Sequence, residues 1–317
     1  MQNMATGNRE NAPLHAHIEP TSLCNLHCPT CYNEFLPAKR RGNLSFENYM
    51  RLIANLPTVN DVSLLGLGEP FINPELLLMA EEAKSRGITV RTATNATLIG
   101  RYDPVRTLSA FDEIIFSIDA ADADIFAHMR KGADLAVVLN NIATLAATRK
   151  RKGLATLLTT NTVLSQENRD QIPGLIKLAK SMGMAKMRFV MAGDLASRKE
   201  PIMQFHRKRL LTMRIESADI EQSLAGEVKA LGSAYGIPTS FAGSAPYAPD
   251  CWWPLRGAYI SYDGGVTPCC MRMDPDDYGF GNALEKPMLE IWNSPAYARF
   301  RREMAAGGVP EVCKGCP

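Results

Sequence analysis

The chain has 317 residues, 46% hydrophobic and 21% charged, with a formal net charge of +2. That is long enough to bury a large core as one big domain or one plus a small one, and the near-neutral balance without a long basic block argues against nucleic acid as a partner. There is no signal-peptide pattern, and the strongest apolar run, Leu76-Leu77-Leu78-Met79, is far too short to span a bilayer, so a cytoplasmic location with no membrane contact is expected.

Residues 1–13 are polar at the start and read as a flexible tail. Leu14 to Glu19 alternates apolar and polar side chains, which predicts a first strand. It runs into Cys24-Asn25-Leu26-His27-Cys28-Pro29-Thr30-Cys31, where three cysteines are spaced C-x3-C-x2-C. In a reducing compartment such a group is read as metal or redox ligands before disulfides. A loop this short can aim three thiolates at one point, and soft thiolates favour iron–sulfur clusters or zinc. Three ligands leave an open fourth position, the mark of a reactive site.

Ser45 is a candidate N-cap for a helix that Pro57 stops. Asp61 to Leu65 predicts a second strand, ending in Gly66-Leu67-Gly68-Glu69-Pro70. Pro74 suits the first position of the next helix, and Gly87 its end. Strands follow at Ile88 to Thr94, Glu113 to Asp119, Ala155 to Leu164 and Lys186 to Met191, with helices around Val105, over Leu135 to Arg149 and over Gln171 to Met182. Six strand–helix units in succession predict a parallel sheet covered by helices, with the reactive residues at the C-terminal strand ends.

Residues 203–235 read as helical. Ala258 to Tyr262, the turn Asp263-Gly264-Gly265 and Val266 onward read as a hairpin that delivers Cys269 and Cys270. Short helices are expected around Leu289 to Trp292 and from Ala296 to Met304, before Cys313-Lys314-Gly315-Cys316. The basic runs at Lys39 to Arg41, Arg149 to Lys152 and Arg207 to Arg209 read as solvated, as does His206. His15 and His17 share a strand face with Glu19, either as a satisfied polar pair or near a substrate.

At the first cysteine group the sequence resembles the radical S-adenosylmethionine superfamily, whose signature is C-x3-C-x2-C after the first strand. Further pieces in the same order carry the resemblance. Gly66-Leu67-Gly68-Glu69-Pro70 is similar to the family's Gly-Gly-Glu-Pro element, Thr94-Asn95-Ala96-Thr97 to its strand-3 element, and Ser117-Ile118-Asp119 to its strand-4 serine and aspartate. Two departures stand out: Leu67 splits the glycine pair, and Thr30 occupies a position where the family often has an aromatic residue. The resemblance implies a [4Fe-4S] cluster on Cys24, Cys28 and Cys31, with the methionine end of S-adenosyl-L-methionine on the free iron. It implies contacts to that cofactor from Gly68, Glu69, Thr94, Asn95, Ser117 and Asp119, and cleavage to a 5′-deoxyadenosyl radical. Arg130 resembles an arginine that follows strand 4 in related enzymes; a surface arginine is the alternative.

The second group, Cys251, Cys269, Cys270, Cys313 and Cys316, resembles the shortened "twitch" form of the SPASM domain, with a second [4Fe-4S] cluster. The resemblance implies Cys251, Cys269, Cys313 and Cys316 as the ligands, with Cys269 favoured over Cys270 by the separation that twitch domains keep and the choice between those two left open. A zinc ribbon is the alternative there, and a zinc-binding scaffold the non-enzymatic alternative for the whole chain.

The expected fold is therefore α/β, a partial (β/α)6 TIM-like barrel over 14–200, a helical linker over 201–245 and a small iron–sulfur auxiliary domain over 246–317. The expected activity is hydrogen-atom abstraction from a small polar substrate, sugar- or aminocyclitol-like, with oxidation to a ketone assisted by the auxiliary cluster. The short lead before the first strand, with no room for a fused peptide-recognition domain, tilts the expectation towards that substrate. The alternatives are an epimerase with Cys270 as hydrogen-atom donor and a maturase of a ribosomal peptide. A reductant such as flavodoxin or ferredoxin is the expected protein partner.

Overall fold

β1 (His15–Ile18) shows which way the sheet faces. Ala16 and Ile18 are buried in the core, while His15 and His17 are only half-buried on the opposite face. In the computed structural model of the chain, residues 12–193, 201–215, 217–243 and 251–313 are described. β2 (Asp61–Leu64), β3 (Thr89–Thr94), β4 (Glu113–Ser117), β5 (Leu157–Leu164) and β6 (Lys186–Met191) follow, each parallel to the one before. The six expected strands thus lie side by side in chain order.

Helices cover one face. α1 (Phe46–Ala54), α2 (Leu76–Ser85), α3 (Pro104–Ala110), α4 (Ala123–Met129), α5 (Leu135–Lys152) and α6 (Ile172–Ser181) pack on Val62, Val90, Ile114, Phe116, Leu158 and Phe189, all fully buried. Ser45 caps α1 as expected, its hydroxyl accepting from the Asn48 amide at 3.2 Å. α5 ends at Gly153, whose φ of 64° is the left-handed cap conformation. Pro74 does not open α2. Asn73 accepts from the Glu75 amide at 2.9 Å and donates to the carbonyls of Pro20 and Leu44, holding 73–75 as a turn, so the helix starts at Leu76.

The stretch read as helical holds two helices, α7 (Pro201–Met213) and α8 (Ala218–Tyr235). Ser217 caps the second. The linker stretch also supplies a strand, β7 (Thr239–Ala242), parallel to β6. After α9 (Trp253–Arg256), β8 (Gly257–Ile260) pairs parallel with the other side of β1, and β9 (Gly265–Thr267) and β10 (Gly281–Asn282) follow antiparallel. Among the described residues this makes one ten-stranded sheet in the order β10-β9-β8-β1-β2-β3-β4-β5-β6-β7. α10 (Pro275–Tyr278), α11 (Met288–Trp292) and α12 (Pro295–Ala305) complete the elements.

The face away from the helices is the barrel lumen. At the N-terminal strand ends it has an ionic floor. His15 Nδ1 meets Asp61 at 2.6 Å, Arg91 bridges Asp61 and Glu113, and Lys186 reaches Glu113 at 3.0 Å. His15 and His17 are not alike. Trp253 stands edge-on to both rings, at 5.2 and 4.8 Å. Burial pushes His17 down to about 3, so its ring is neutral at ordinary pH.

Candidate active site

The loops at the C-terminal strand ends are laced together through buried polar groups. Glu19, one residue past β1, is buried; it accepts from the Leu67 amide at 2.8 Å and the Tyr262 amide at 3.3 Å. One carboxylate thereby joins the end of β1, the loop after β2 and the hairpin after β8. The Glu69 amide donates to the Leu23 carbonyl at 2.8 Å. A Cβ on Gly68 would sit 2.4 Å from the carbonyl oxygens of Thr21 and Leu23, and one on Gly66 2.4 Å from Glu19 Cγ. Both glycines let the loop after β2 lie directly on the chain that enters the cysteine loop. Leu67 between them does not disturb this approach.

Glu69 is buried, and its carboxylate gathers the loop after β3. It accepts from Thr94 Oγ1 at 2.6 Å, from the Asn95 amide at 2.7 Å and from the Phe71 amide at 3.2 Å. Burial outweighs these bonds and pushes the carboxyl up to about 7. The Asn95 amide group donates to Asn25 Oδ1 at 3.0 Å, and Asn25 donates to Thr97 Oγ1 at 2.9 Å, so the strand-3 turn is tied to the cysteine loop itself. The turn passes through Ala96 at φ 61°, the left-handed region.

Asp119 is fully buried. It accepts from the Val163 amide at 2.8 Å and pairs with Arg130 Nε at 2.6 Å. Arg130 Nη1 in turn points at Cys28 Sγ, 4.0 Å away. Arg130 is therefore not a surface residue; an ion pair anchored on the end of β4 presents it to the cysteine loop. Ser117, two residues earlier and the last residue of β4, stays half-exposed on the lumen side.

Cys28 is buried, and Cys24 and Cys31 are partly so. Desolvation pushes the thiols of Cys24 and Cys31 up to about 11 and about 12, and Cys28 is raised as well. Among the described residues no three cysteine, histidine or carboxylate side chains converge closely enough to share one metal ion. A cluster takes each thiolate on a different iron, so an all-cysteine set with Arg130 beside Cys28 fits that group.

Two basic runs that read as solvated are docked instead. Arg40 is buried and pairs with Asp263 at 3.4 Å, and Lys39 meets Asp276 at 3.0 Å; both partners lie in the C-terminal segment. On α7, Arg209 pairs with Glu34 at 2.7 Å, donates to the Cys31 carbonyl at 3.5 Å and lies 5.3 Å over the Phe35 ring. His206 is buried beside Phe35 and Tyr32, not exposed. The signal was present: His206, Leu210 and Met213 fall at i, i+4 and i+7, the apolar stripe of a helix.

In the second cysteine group, Cys269 and Cys270 follow β9. Buried Arg272 donates through Nε to the Val312 carbonyl at 2.8 Å, which fastens their turn to the residue before Cys313. Cys313 is buried, and Cys251 packs against the same core. Cys316 lies outside the described residues.

The family model described as the radical SAM superfamily matches residues 18–179, and that of the SPASM iron–sulfur cluster-binding domain matches 251–317. The chain belongs to the radical SAM superfamily. Its cofactors are S-adenosyl-L-methionine, a [4Fe-4S] cluster and an auxiliary cluster in the SPASM segment. Curated relatives include PqqA peptide cyclase of Xanthomonas campestris pv. campestris, 26% identical over 313 residues and covering 96% of this chain and 79% of its own. Another is the tungsten-containing aldehyde ferredoxin oxidoreductase cofactor-modifying protein of Pyrococcus furiosus, 23% identical over 307 residues, with 90% and 82% covered. The crystal structure of Streptococcus suis SuiB bound to precursor peptide SuiA superposes with a TM-score of 0.72 at 16% identity, over 92% of this chain and 67% of that one. No described helix is long and apolar enough to cross a membrane.

Proposed function

We propose that this radical SAM enzyme modifies a peptide by abstracting a hydrogen atom from an unactivated carbon. The observation that carries this is similarity over 96% of the chain to PqqA peptide cyclase. It favours the peptide maturase alternative over the small sugar- or aminocyclitol-like substrate that the sequence suggested first, and over ketone formation.

In this assignment Cys24, Cys28 and Cys31 hold the radical-generating cluster. Bound there, the cluster would supply the electron for reductive cleavage of S-adenosyl-L-methionine. The protein's own groups orient and shield. Arg130, locked by Asp119, keeps a positive charge beside Cys28 and favours its thiolate. Glu69, Thr94 and Asn95 form one hydrogen-bonded unit in which a cationic amine would draw off the Glu69 proton. Gly68 admits close backbone approach, and Ser117 offers a hydroxyl at the lumen edge. Cys251, Cys269, Cys313 and Cys316 are assigned to the auxiliary cluster, with Cys270 the spare thiol beside them. Solvent deuterium entering product, and lost in Cys270→Ala, would instead make Cys270 a hydrogen-atom donor. Reduced flavodoxin or ferredoxin is the assigned electron source.

The test uses anaerobically reconstituted enzyme with S-adenosyl-L-methionine and reduced flavodoxin. A pool of random-sequence peptides is expected to raise 5′-deoxyadenosine formation above the substrate-free rate. A rise seen only with a panel of sugars and aminocyclitols would overturn the assignment.

A further inference from the structure

Above its ionic floor the lumen changes character. The next inward row joins Ser117 of β4, Asn161 of β5, Arg188 of β6 and Ser240 of β7, which are register partners across the three strand pairs. On β6, Met187, Phe189 and Met191 are buried against the helices, so Arg188 projects into the lumen, where it is exposed. The floor groups His15, Asp61, Arg91, Glu113 and Lys186 all have polar or ionic partners. Arg188 has none. Among the described residues no hydrogen bond or ion pair engages its guanidinium, nor the side chains of Ser117, Asn161 and Ser240.

A guanidinium held on a strand in a concave face is a pre-set fork of donors, and the group that matches it is a carboxylate bound through both oxygens. Asn161 and Ser240 flank it one strand away on either side, where they can orient such a ligand. Ser117, the lumen-edge residue on the cofactor side, is two strands from Arg188, or about 10 Å at the usual strand spacing. That gap accommodates a few carbon atoms. We propose that Arg188, with Asn161 and Ser240, anchors a substrate carboxylate and selects an acidic group within a residue or so of the reacting carbon. This rests on the function proposed above only for the source of the carboxylate, an acidic peptide side chain.

The experiment reads binding, not turnover. Reconstituted holoenzyme with S-adenosyl-L-methionine is offered blocked peptides with a central Glu, their Gln twins, N-acetylglutamate and N-acetylglutamine. Affinity is measured by anisotropy competition, and protection of Arg188 from phenylglyoxal by mass spectrometry. Glu peptides should protect Arg188 and bind about tenfold or more tightly than Gln twins, the margin of a charge-assisted paired contact. Arg188→Gln should abolish that margin, and Arg188→Lys should retain part of it. Among the described residues Arg188 has no partner to lose, so both variants should fold with unchanged Tm. Equal binding of the Glu and Gln peptides to the wild type, or an undiminished margin in Arg188→Gln, overturns the anchor. Protection by N-acetylglutamate but by no peptide keeps the anchor and counts against the peptide as substrate.

Discussion

Glu69 links the loops after β2 and β3, which are far apart in sequence, and its titration follows from its burial. Its folded value of about 7 lies above the ordinary 4.5, so the folded chain holds the proton more tightly than the unfolded one. The stability this contributes is fully present below about pH 4.5 and is lost as pH rises through about 7. Thermal and urea denaturation of the apo chain should therefore show the advantage of wild type over Glu69→Gln shrinking by about 2–3 kcal/mol between pH 5 and pH 8. A constant difference across that range would show that Glu69 is ionised throughout. Asp119 is a second residue with a clear expectation. Asp119→Asn leaves Arg130 without its ionic partner in a buried setting, which should cost about 3 kcal/mol in urea denaturation. The motif residues were legible in the sequence because type and order carry them. The bonds among them were not: Glu69 to Thr94 spans 25 residues and Arg130 to Cys28 spans 102, and nothing local in the chain encodes such pairs.

At the scale of elements, the loop after β2 is shaped by contact with the cysteine loop. Gly68→Ala would press a methyl group against two backbone oxygens that no rotamer change can move. The expected cost is about 1–3 kcal/mol, with cluster content after reconstitution falling alongside. Gly226→Ala, in open space on α8, is the control and should leave both unchanged or slightly improved. α7 acts on the same loop from the other side. Arg209→Ala removes the ion pair to Glu34 and the donor to the Cys31 carbonyl, so the radical cluster's electron paramagnetic resonance signal should broaden or shift while the auxiliary signal stays as it was. Unchanged spectra for both clusters would mean that α7 does not hold the loop. The six barrel strands were readable because turn residues bound each of them. β7 was hidden, since Thr239-Ser240-Phe241-Ala242 has neither clean alternation nor a branched aliphatic residue, and only pairing with β6 makes it a strand.

For the whole molecule, one sheet runs from β10 to β7, and the auxiliary segment enters it through β8 beside β1. The strand that leads into Cys24, Cys28 and Cys31 is thus hydrogen-bonded to the strand that leads towards Cys269. Glu19, Arg40 and Lys39 fasten the two regions again at the loops. The grouping of cysteines at the two ends of the chain made two sites legible. Their attachment to a common sheet was not, because β8 is separated from β1 by more than two hundred residues and its Gly257-Ala258-Tyr259-Ile260 reads equally well as a free hairpin arm. Continuity of the sheet gives the lumen its position between the loops over β1 to β4 and the polar row that ends on β7.

The most direct measurement is the fate of a substrate hydrogen atom. Reconstituted enzyme, S-adenosyl-L-methionine and reductant are incubated with peptides deuterated at carbon, and the 5′-deoxyadenosine formed is analysed by mass spectrometry. Radical abstraction from a peptide predicts deuterium in the 5′-deoxyadenosine, and none when Cys24, Cys28 and Cys31 are replaced by alanine. Undeuterated 5′-deoxyadenosine from every peptide, with deuterium arriving from deuterated sugars or aminocyclitols, would contradict it.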